Sequence, residues 1–292
     1  MATPTVRKLQ LGNELRRLRE TAGRTPAEAA RALDCVPAKV SRIELGQSGV
    51  SLGDLRLLLD FYGADAEQVD WLVELSRDNR KRNRWTGHRS VFPEWFRAFV
   101  DLERDAEDIR IVEHEVVPGL LQTEAYMRVL FDATSPFGAH ADVEALVRSR
   151  MERQDVLDRV DGPTISIVIS ESCVRRMVGG PEVMSEQLDH LVKLASRRRV
   201  QLQLWPFDGE IVSALVPQAF VLLRIPAARA AQPFTFAYCE DLEDARYIDD
   251  EQAVRVYEAQ WGAMQAAALG PADTRTRLKE LAAQFSEGSR AR

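Results

Sequence analysis

The chain has 292 residues, of which 45% are hydrophobic and 29% are charged, and its formal net charge is −6. A chain of this length and composition can bury an ordinary hydrophobic core, as two domains or as one large one. Its first residues lack the apolar segment of a signal peptide, and no apolar run reaches the roughly 18 residues of a membrane span, so we expect neither feature.

The charge is divided unevenly along the chain. Residues 1–90 contain 16 Lys and Arg against 12 Asp and Glu, whereas residues 91–292 contain 23 against 33. The acidic total therefore does not exclude a nucleic-acid partner for the first part, although it argues against the second part lying along a polyanion. Three cysteines match neither a zinc site nor a disulfide framework, and they indicate free thiols in a cytoplasmic protein: Cys35, Cys173 and Cys239.

Five helices are predicted in the first part of the chain, at residues 7–22, 25–33, 37–45, 51–62 and 66–79. Apolar residues recur at helical spacing in the longer ones. Thr25 and Glu28, with Pro26 between them, form the capping box that opens the second helix. Pro37 begins the third helix, and Gly46 ends it.

Beyond Phe92 the pattern changes to strands mixed with helices. Strands are predicted near residues 109–117, 164–170, 200–207, 219–225 and 234–239. Helices are predicted near residues 94–108, 120–131, 142–160, 182–196, 250–268 and 273–285. The predicted fold is therefore an all-α domain of five helices followed by a mixed α/β domain. We place the domains at residues 1–80 and 92–285, with a basic linker at 81–91 and a disordered tail at 286–292.

The stretch RTPAEAARALDCVPAKVSRIELG, residues 24–46, places two short helices around a three-residue break, with the small Ala30 where they cross. It resembles the helix-turn-helix of the repressor-like XRE family, whose usual run is close to LTQEELAERLGVSQSTISRIERG. The resemblance implies binding to double-stranded DNA. Asp34 replaces the usual turn glycine, which is tolerable because Asp adopts left-handed backbone more readily than most residues. Pro26 and Pro37 replace glutamines, so one phosphate contact and one base contact of the family are lost.

Glu44 lies one helical turn after Val40, so its carboxylate points towards the interior of the first domain. A buried carboxylate without a cation would cost several kcal/mol. Arg19 stands at the edge of the inward face of the first helix, and in the resembling family an arginine at this position pairs with this glutamate. We therefore expect Arg19 and Glu44 to form an internal ion pair with a structural role.

The outer face of the third helix is then expected to contact DNA. Arg42 can bind guanine O6 and N7 with two hydrogen bonds, whereas Ala38 can only touch a thymine methyl group. The remaining candidates are better suited to phosphate contacts: Thr25, Lys39, Ser41 and Gln47. Because one such domain reads few bases, we expect a homodimer on an inverted repeat, as is usual in the family.

The resemblance extends into the second domain through VPGLLQTEAYMRVL (117–130), RMERQDVL (150–157) and VQLQLWPF (200–207). These stretches look like an actinobacterial branch of such regulators, whose C-terminal domain has no settled biochemical activity. In that branch the gene often lies beside one for a very short companion protein, in a layout like a toxin–antitoxin pair. The resemblance thus implies a protein partner, and a regulator associated with the nucleoid when it is bound to DNA.

The function of the second domain stays open between two classes. We expect a domain for dimerisation and for sensing a protein partner or a small ligand, and the alternative is an enzyme delivered to DNA by the helix-turn-helix. The sequence contains no recognisable nucleophile motif, metal-ligand set or cofactor loop, so we expect no enzyme, no metal and no cofactor. Arg150, Arg153 and Gln154 share a helix with several acids, and either internal pairing or contact with a ligand or partner would explain them.

Overall fold

The structure is a computed structural model that describes residues 6–78, 94–134, 142–209, 219–226, 233–241 and 244–290. These residues form two compact units. The predicted basic linker at 81–91 lies outside the described residues. Among the helices that are described, none is both long enough and apolar enough to cross a membrane.

The first unit is helical, and five of its helices are those that the sequence predicts. They are α1 (Val6–Thr21), α2 (Pro26–Ala32), α3 (Pro37–Glu44), α4 (Leu52–Tyr62) and α5 (Ala66–Asp78). A sixth helix, α6 (Glu94–Asp105), also belongs to this unit and lies against α1. The sequence placed the start of the second domain at residue 92, before α6, whereas the contacts of α6 group it with the first unit. A helical pattern alone does not show which core a helix joins.

One apolar core holds α1 to α5 together. Leu15, Val40 and Leu59 are fully buried in it, and each comes from a different helix. At the junction of α2 and α3 the small side chain of Ala30 is also buried, which lets the two short helices approach closely. The core thus fixes α3 by its inward face and leaves the opposite face for other contacts.

Two local features of the helix-turn-helix follow from its sequence. Thr25 Oγ1 accepts a hydrogen bond from the Glu28 amide at 3.2 Å, and Glu28 Oε2 accepts one from the Thr25 amide at 2.8 Å, which completes the predicted capping box. In the turn between α2 and α3, Asp34 has a φ of +49°, the left-handed conformation that the sequence led us to expect there.

Gly12 marks the crossing of α1 and α3. A Cβ atom at this position would lie 2.4 Å from the carbonyl oxygen of Glu44 and 2.7 Å from that of Ile43. Both neighbours are backbone atoms, so they cannot move aside as a flexible side chain would. Only glycine permits this approach.

The second unit is built on a six-stranded mixed sheet. Its strands are β1 (Asp108–Glu113), β2 (Thr164–Ser170), β3 (Val200–Trp205), β4 (Phe220–Ile225), β5 (Phe234–Glu240) and β6 (Ala245–Ile248). They lie in the order β3-β2-β1-β4-β5-β6, with β1, β2 and β3 parallel, β4 antiparallel to β1, and β6 antiparallel to β5. Strand β6 was missed because residues 241–251 form an acidic run that resembles a solvated loop.

The helices of this unit are α7 (Glu124–Thr134), α8 (Val143–Gln154), α9 (Glu171–Arg175), α10 (Pro181–Leu194), α11 (Glu251–Ala267) and α12 (Pro271–Arg290). On one face of the sheet, Val112 and Val168 share a core with Trp261 and Met264 of α11. Helix α12 packs against α10 and β3. It continues to Arg290, so the chain is helical beyond the boundary of 285 that the sequence indicated, and residues 291 and 292 lie outside the described residues.

A buried glutamine joins α10 to the turn before α7. Gln187 is fully buried, its Oε1 accepts a hydrogen bond from the Thr123 amide at 2.7 Å, and its Nε2 donates one to the Leu121 carbonyl at 2.6 Å. The side chain therefore satisfies two backbone groups that no regular element pairs.

Replacing Gln187 with Leu should destabilise the protein. Each of the two buried backbone groups would lose its partner, at about 1–3 kcal/mol per group. Thermal denaturation of the full chain measures the effect, and Glu186→Leu, on the exposed side of the same helix, is the matched control. Equal melting temperatures for the two variants would show that the hydrogen bonds of Gln187 add nothing beyond packing.

Candidate functional site

Helix α3 has one buried face and one accessible face. Val40, Ile43 and Glu44 are buried, whereas Ala38 and Arg42 are exposed. Pro37 occupies the first helical position, where its missing N–H leaves no backbone bond unmade. Ala38 is the second residue of α3 and Arg42 lies one turn further on. In helix-turn-helix complexes the N-terminal residues of the recognition helix contact base edges.

The Arg19 and Glu44 side chains form a two-pronged ion pair. Arg19 Nε lies 2.7 Å from Glu44 Oε1, and Arg19 Nη2 lies 3.0 Å from Glu44 Oε2. Only 9% of the Arg19 side chain and 6% of the Glu44 side chain are accessible to solvent. Arg19 Nη1 also donates to the carbonyl of Arg24 at 2.9 Å. The hydrogen bonds to Glu44 raise the pKa of Arg19 above its ordinary value. This is the pairing that the sequence predicted.

Lys39 has an intramolecular partner. Its Nζ lies 2.8 Å from Oδ2 of Asp54, in the first turn of α4. The hydrogen bond raises the pKa of Lys39. Both side chains are partly accessible to solvent, so the pair can open when a phosphate offers Lys39 another partner. Sequence alone does not indicate this pair, since an aspartate is favoured in the first turn of any helix, here three residues after the N-cap Ser51.

The other predicted DNA contacts make local hydrogen bonds. Arg42 is exposed, and its Nε donates to the Ala38 carbonyl at 3.3 Å. Ser41 Oγ donates to the Pro37 carbonyl at 3.3 Å, and Gln47 is exposed just after the end of α3. Thr25 Oγ1 donates to Glu28 Oε2 at 2.8 Å, so its hydroxyl is already used within the capping box.

In the second unit, the structure brings together the three residues that the sequence left open. Gln154 Nε2 donates to the carbonyls of Gly119 and Gln122 at 3.0 and 2.9 Å, so this residue has an internal role. Arg150 Nη1 donates to Gln122 Oε1 at 2.6 Å. Arg153, one turn further along α8, lies beside the same turn of the chain, near Gly119.

Two protein families match this chain. A model described as a helix-turn-helix domain matches residues 10–72. A second, described as a domain of unknown function (DUF5753), matches residues 96–280, which is more than half of the sequence. The chain belongs to the DUF5753 family. No curated protein and no solved structure matches it.

The DUF5753 match begins inside α6, although that helix packs with the helix-turn-helix unit. The boundary of the family and the boundary of the compact unit therefore differ by one helix. The match includes the whole sheet and the turn around Gly119, so the DUF5753 domain contains every candidate residue of the second unit.

Glu171 shows how the DUF5753 domain compensates a buried charge. Its carboxylate, directly after β2, accepts hydrogen bonds from the Phe207 amide at 2.9 Å, from Arg175 Nε at 2.7 Å and from Arg277 Nη2 at 2.9 Å. Burial acts to raise its pKa, but these hydrogen bonds hold the pKa below the usual value. With two arginines and an amide around it, Glu171 is a structural carboxylate joining α9 and α12.

Replacing Glu44 with Ala should destabilise the helix-turn-helix by about 3–5 kcal/mol, because Arg19 would remain buried without its partner. Hydrogen–deuterium exchange of the full chain reports the opening free energy of α1 and α3 separately from the rest. The double replacement of Arg19 by Met and Glu44 by Leu, which removes both charges, should recover much of the loss. If exchange in α1 and α3 were unchanged in Glu44→Ala, the ion pair would not hold these helices together.

Proposed function

We propose that this protein is a sequence-specific transcription regulator that places α3 in the major groove of DNA. The observation that carries the proposal is the buried Arg19–Glu44 pair, which turns one face of α3 inward and leaves Ala38 and Arg42 exposed on the other. The match to the helix-turn-helix family supports it. The function that this arrangement supports best is binding of double-stranded DNA in the cytoplasm, with association with the nucleoid in the bound state.

Within this proposal, the exposed residues divide into two roles. Arg42 reads a base, because a guanidinium can donate two parallel hydrogen bonds to guanine. Lys39 contacts a phosphate as a point charge, and it exchanges Asp54 for that phosphate. Thr25, Ser41 and Gln47 add phosphate contacts, and Ala38 adds at most contact with a thymine methyl group.

We assign the DUF5753 domain to dimerisation and to sensing a protein partner or small ligand, and not to catalysis. A very short companion protein, encoded nearby as in a toxin–antitoxin-like pair, is the protein partner that the resemblance suggests. Burial raises the pKa of Cys173 far above its ordinary range, so this thiol is a poor nucleophile. The enzyme alternative would need its reacting groups elsewhere in the domain.

Replacing Arg42 with Ala should cost about 1–3 kcal/mol on the cognate site and relax the preference at one base pair of each half-site. Replacing Lys39 with Ala should weaken all sequences alike and reduce the salt slope by about one ion per domain. Titrations of each variant against the site and its single-base variants, at several salt concentrations, measure both effects. If Arg42→Ala weakened every sequence alike and Lys39→Ala changed the base preference, the two roles would be reversed. If neither variant changed binding, α3 would not be the helix in the major groove.

Asp54→Asn provides a matched control for the role of Lys39. Releasing Lys39 from its partner should strengthen binding to every sequence. The same replacement should have no effect in a chain that already carries Lys39→Ala. A gain that persists in the double variant would mean that Asp54 repels DNA directly and does not act through Lys39.

The full chain should sediment as a dimer at micromolar concentration. One helix-turn-helix domain reads too few bases to specify a site, and a dimer doubles the contacts. The centres of the two half-sites should then lie about 10–10.5 bp, or a multiple of this, apart. Analytical ultracentrifugation with and without site DNA checks the prediction. A monomer both with and without site DNA would contradict the proposed dimer but not the proposed DNA binding.

A further inference from the structure

Two arginines of α8 lie over the backbone of the turn Gly119–Leu121. Arg150 and Arg153 are three residues apart, so they project from the same side of the helix. A Cβ atom at Gly119 would lie 3.4 Å from Arg153 Nη1 and 3.5 Å from Arg150 Nε. The absence of a side chain at this glycine therefore lets both guanidinium groups share one place.

Arg150 is held there by groups without charge. Its Nη1 donates to the Gln122 amide oxygen, and its guanidinium carbon lies 4.4 Å from the centre of the Phe131 ring. Within the described part of the chain, Arg150 forms no ion pair. Burial first, and then the charge of Arg153, lowers the pKa of Arg150 to about 10. Arg150 thus differs from Arg19, whose charge is met directly by a carboxylate.

Glu240 lies close enough to both arginines for their charges to act on it, and Glu113 lies close to Glu240. Glu113 ends β1 and Glu240 ends β5. Both lie on the face of the sheet opposite to Val112 and Cys239, which are in the core beside α11, because side chains alternate along a strand. Burial raises the pKa of Glu240, while Arg153 and then Arg150 act to lower it. Burial also raises the pKa of Glu113 to about 7.

Solvent reaches the charged side chains of this cluster. Arg150, Arg153 and Glu113 are only half-buried, and Glu240 is exposed. The buried Glu171 is met directly by two arginines, whereas no described carboxylate contacts Arg150 directly. An accessible arginine with neutral partners has room for an anion from outside.

We propose that the cluster formed by Arg150, Arg153, Gln122 and Glu240 binds a small molecule that carries an oxyanion, a phosphate or carboxylate, next to hydroxyl or amino groups. The two guanidinium groups donate to the oxyanion, since arginine matches its geometry. Glu240 accepts hydrogen bonds from the neighbouring hydroxyl or amino groups. Such a molecule would be the ligand of the sensing role proposed above, and only its biological use depends on that role.

The test measures binding to the full chain by calorimetry, with pyrophosphate and with citrate as probes and sodium chloride at equal ionic strength as the blank. Wild-type protein should bind one of the probes at millimolar concentration or below, and the stronger probe distinguishes a phosphate from a carboxylate ligand. Arg153→Gln should lower that affinity about 10- to 100-fold, the range for a lost hydrogen bond between charged groups. Arg148→Gln, exposed on the same helix, should bind like the wild type.

Two further variants separate a binding site from a structural cluster. Arg150→Lys keeps the charge and should keep part of the affinity. Glu240→Gln should strengthen binding of pyrophosphate, which offers Glu240 no hydroxyl group and is only repelled by its carboxylate. The proposal is overturned if neither probe binds the wild type, or if Arg148→Gln loses as much affinity as Arg153→Gln. Titration of the same samples with DNA is independent, so failure of the anion site leaves the DNA-binding proposal standing.

Discussion

The Arg19–Glu44 ion pair is the interaction on which the DNA-binding surface depends. A carboxylate near the end of a short helix would ordinarily face water, and here it is buried with both oxygens paired. Removing two charges from water is costly, and their attraction repays this cost only in good geometry. The pair therefore contributes less to net stability than to register. A rotation of α3 about its axis would break two charged hydrogen bonds, so one orientation of the helix is strongly favoured.

In the second unit, too, two buried polar side chains have hydrogen-bond partners, and here the partners are neutral. Gln187 satisfies two buried backbone groups, and Thr274 accepts from the Leu204 amide at 3.0 Å while it donates to the Leu269 carbonyl. Buried polar groups that are fully satisfied act as scaffold. Arg150 departs from that rule, because its direct partners are an amide and an aromatic ring. Whether a charged side chain has a charged partner therefore distinguishes a structural cluster from a candidate site better than its burial alone.

The sequence predicted those features that depend on neighbours along the chain. The five helices, the capping box of Thr25 and the left-handed Asp34 all follow from residues within one or two turns. The Arg19–Glu44 pair required the family resemblance as well. What could not be predicted depends on contacts between distant segments: the Lys39–Asp54 pair, the crossing at Gly12, and the strand order of the sheet. The spacing of residues along the sequence does not show which distant elements will come into contact.

The Lys39–Asp54 pair reduces the binding free energy that Lys39 can gain from a DNA phosphate. A free surface lysine would gain the whole of its attraction to a phosphate, whereas Lys39 gains only the difference between the phosphate and Asp54. The first turn of α4 also keeps a carboxylate beside the place where the phosphate would arrive. Contact at Lys39 is then favourable only when other contacts hold the backbone of the DNA close. Because this cost is the same whichever bases lie in the groove, Asp54 lowers the affinity for every sequence and leaves discrimination between bases to Arg42.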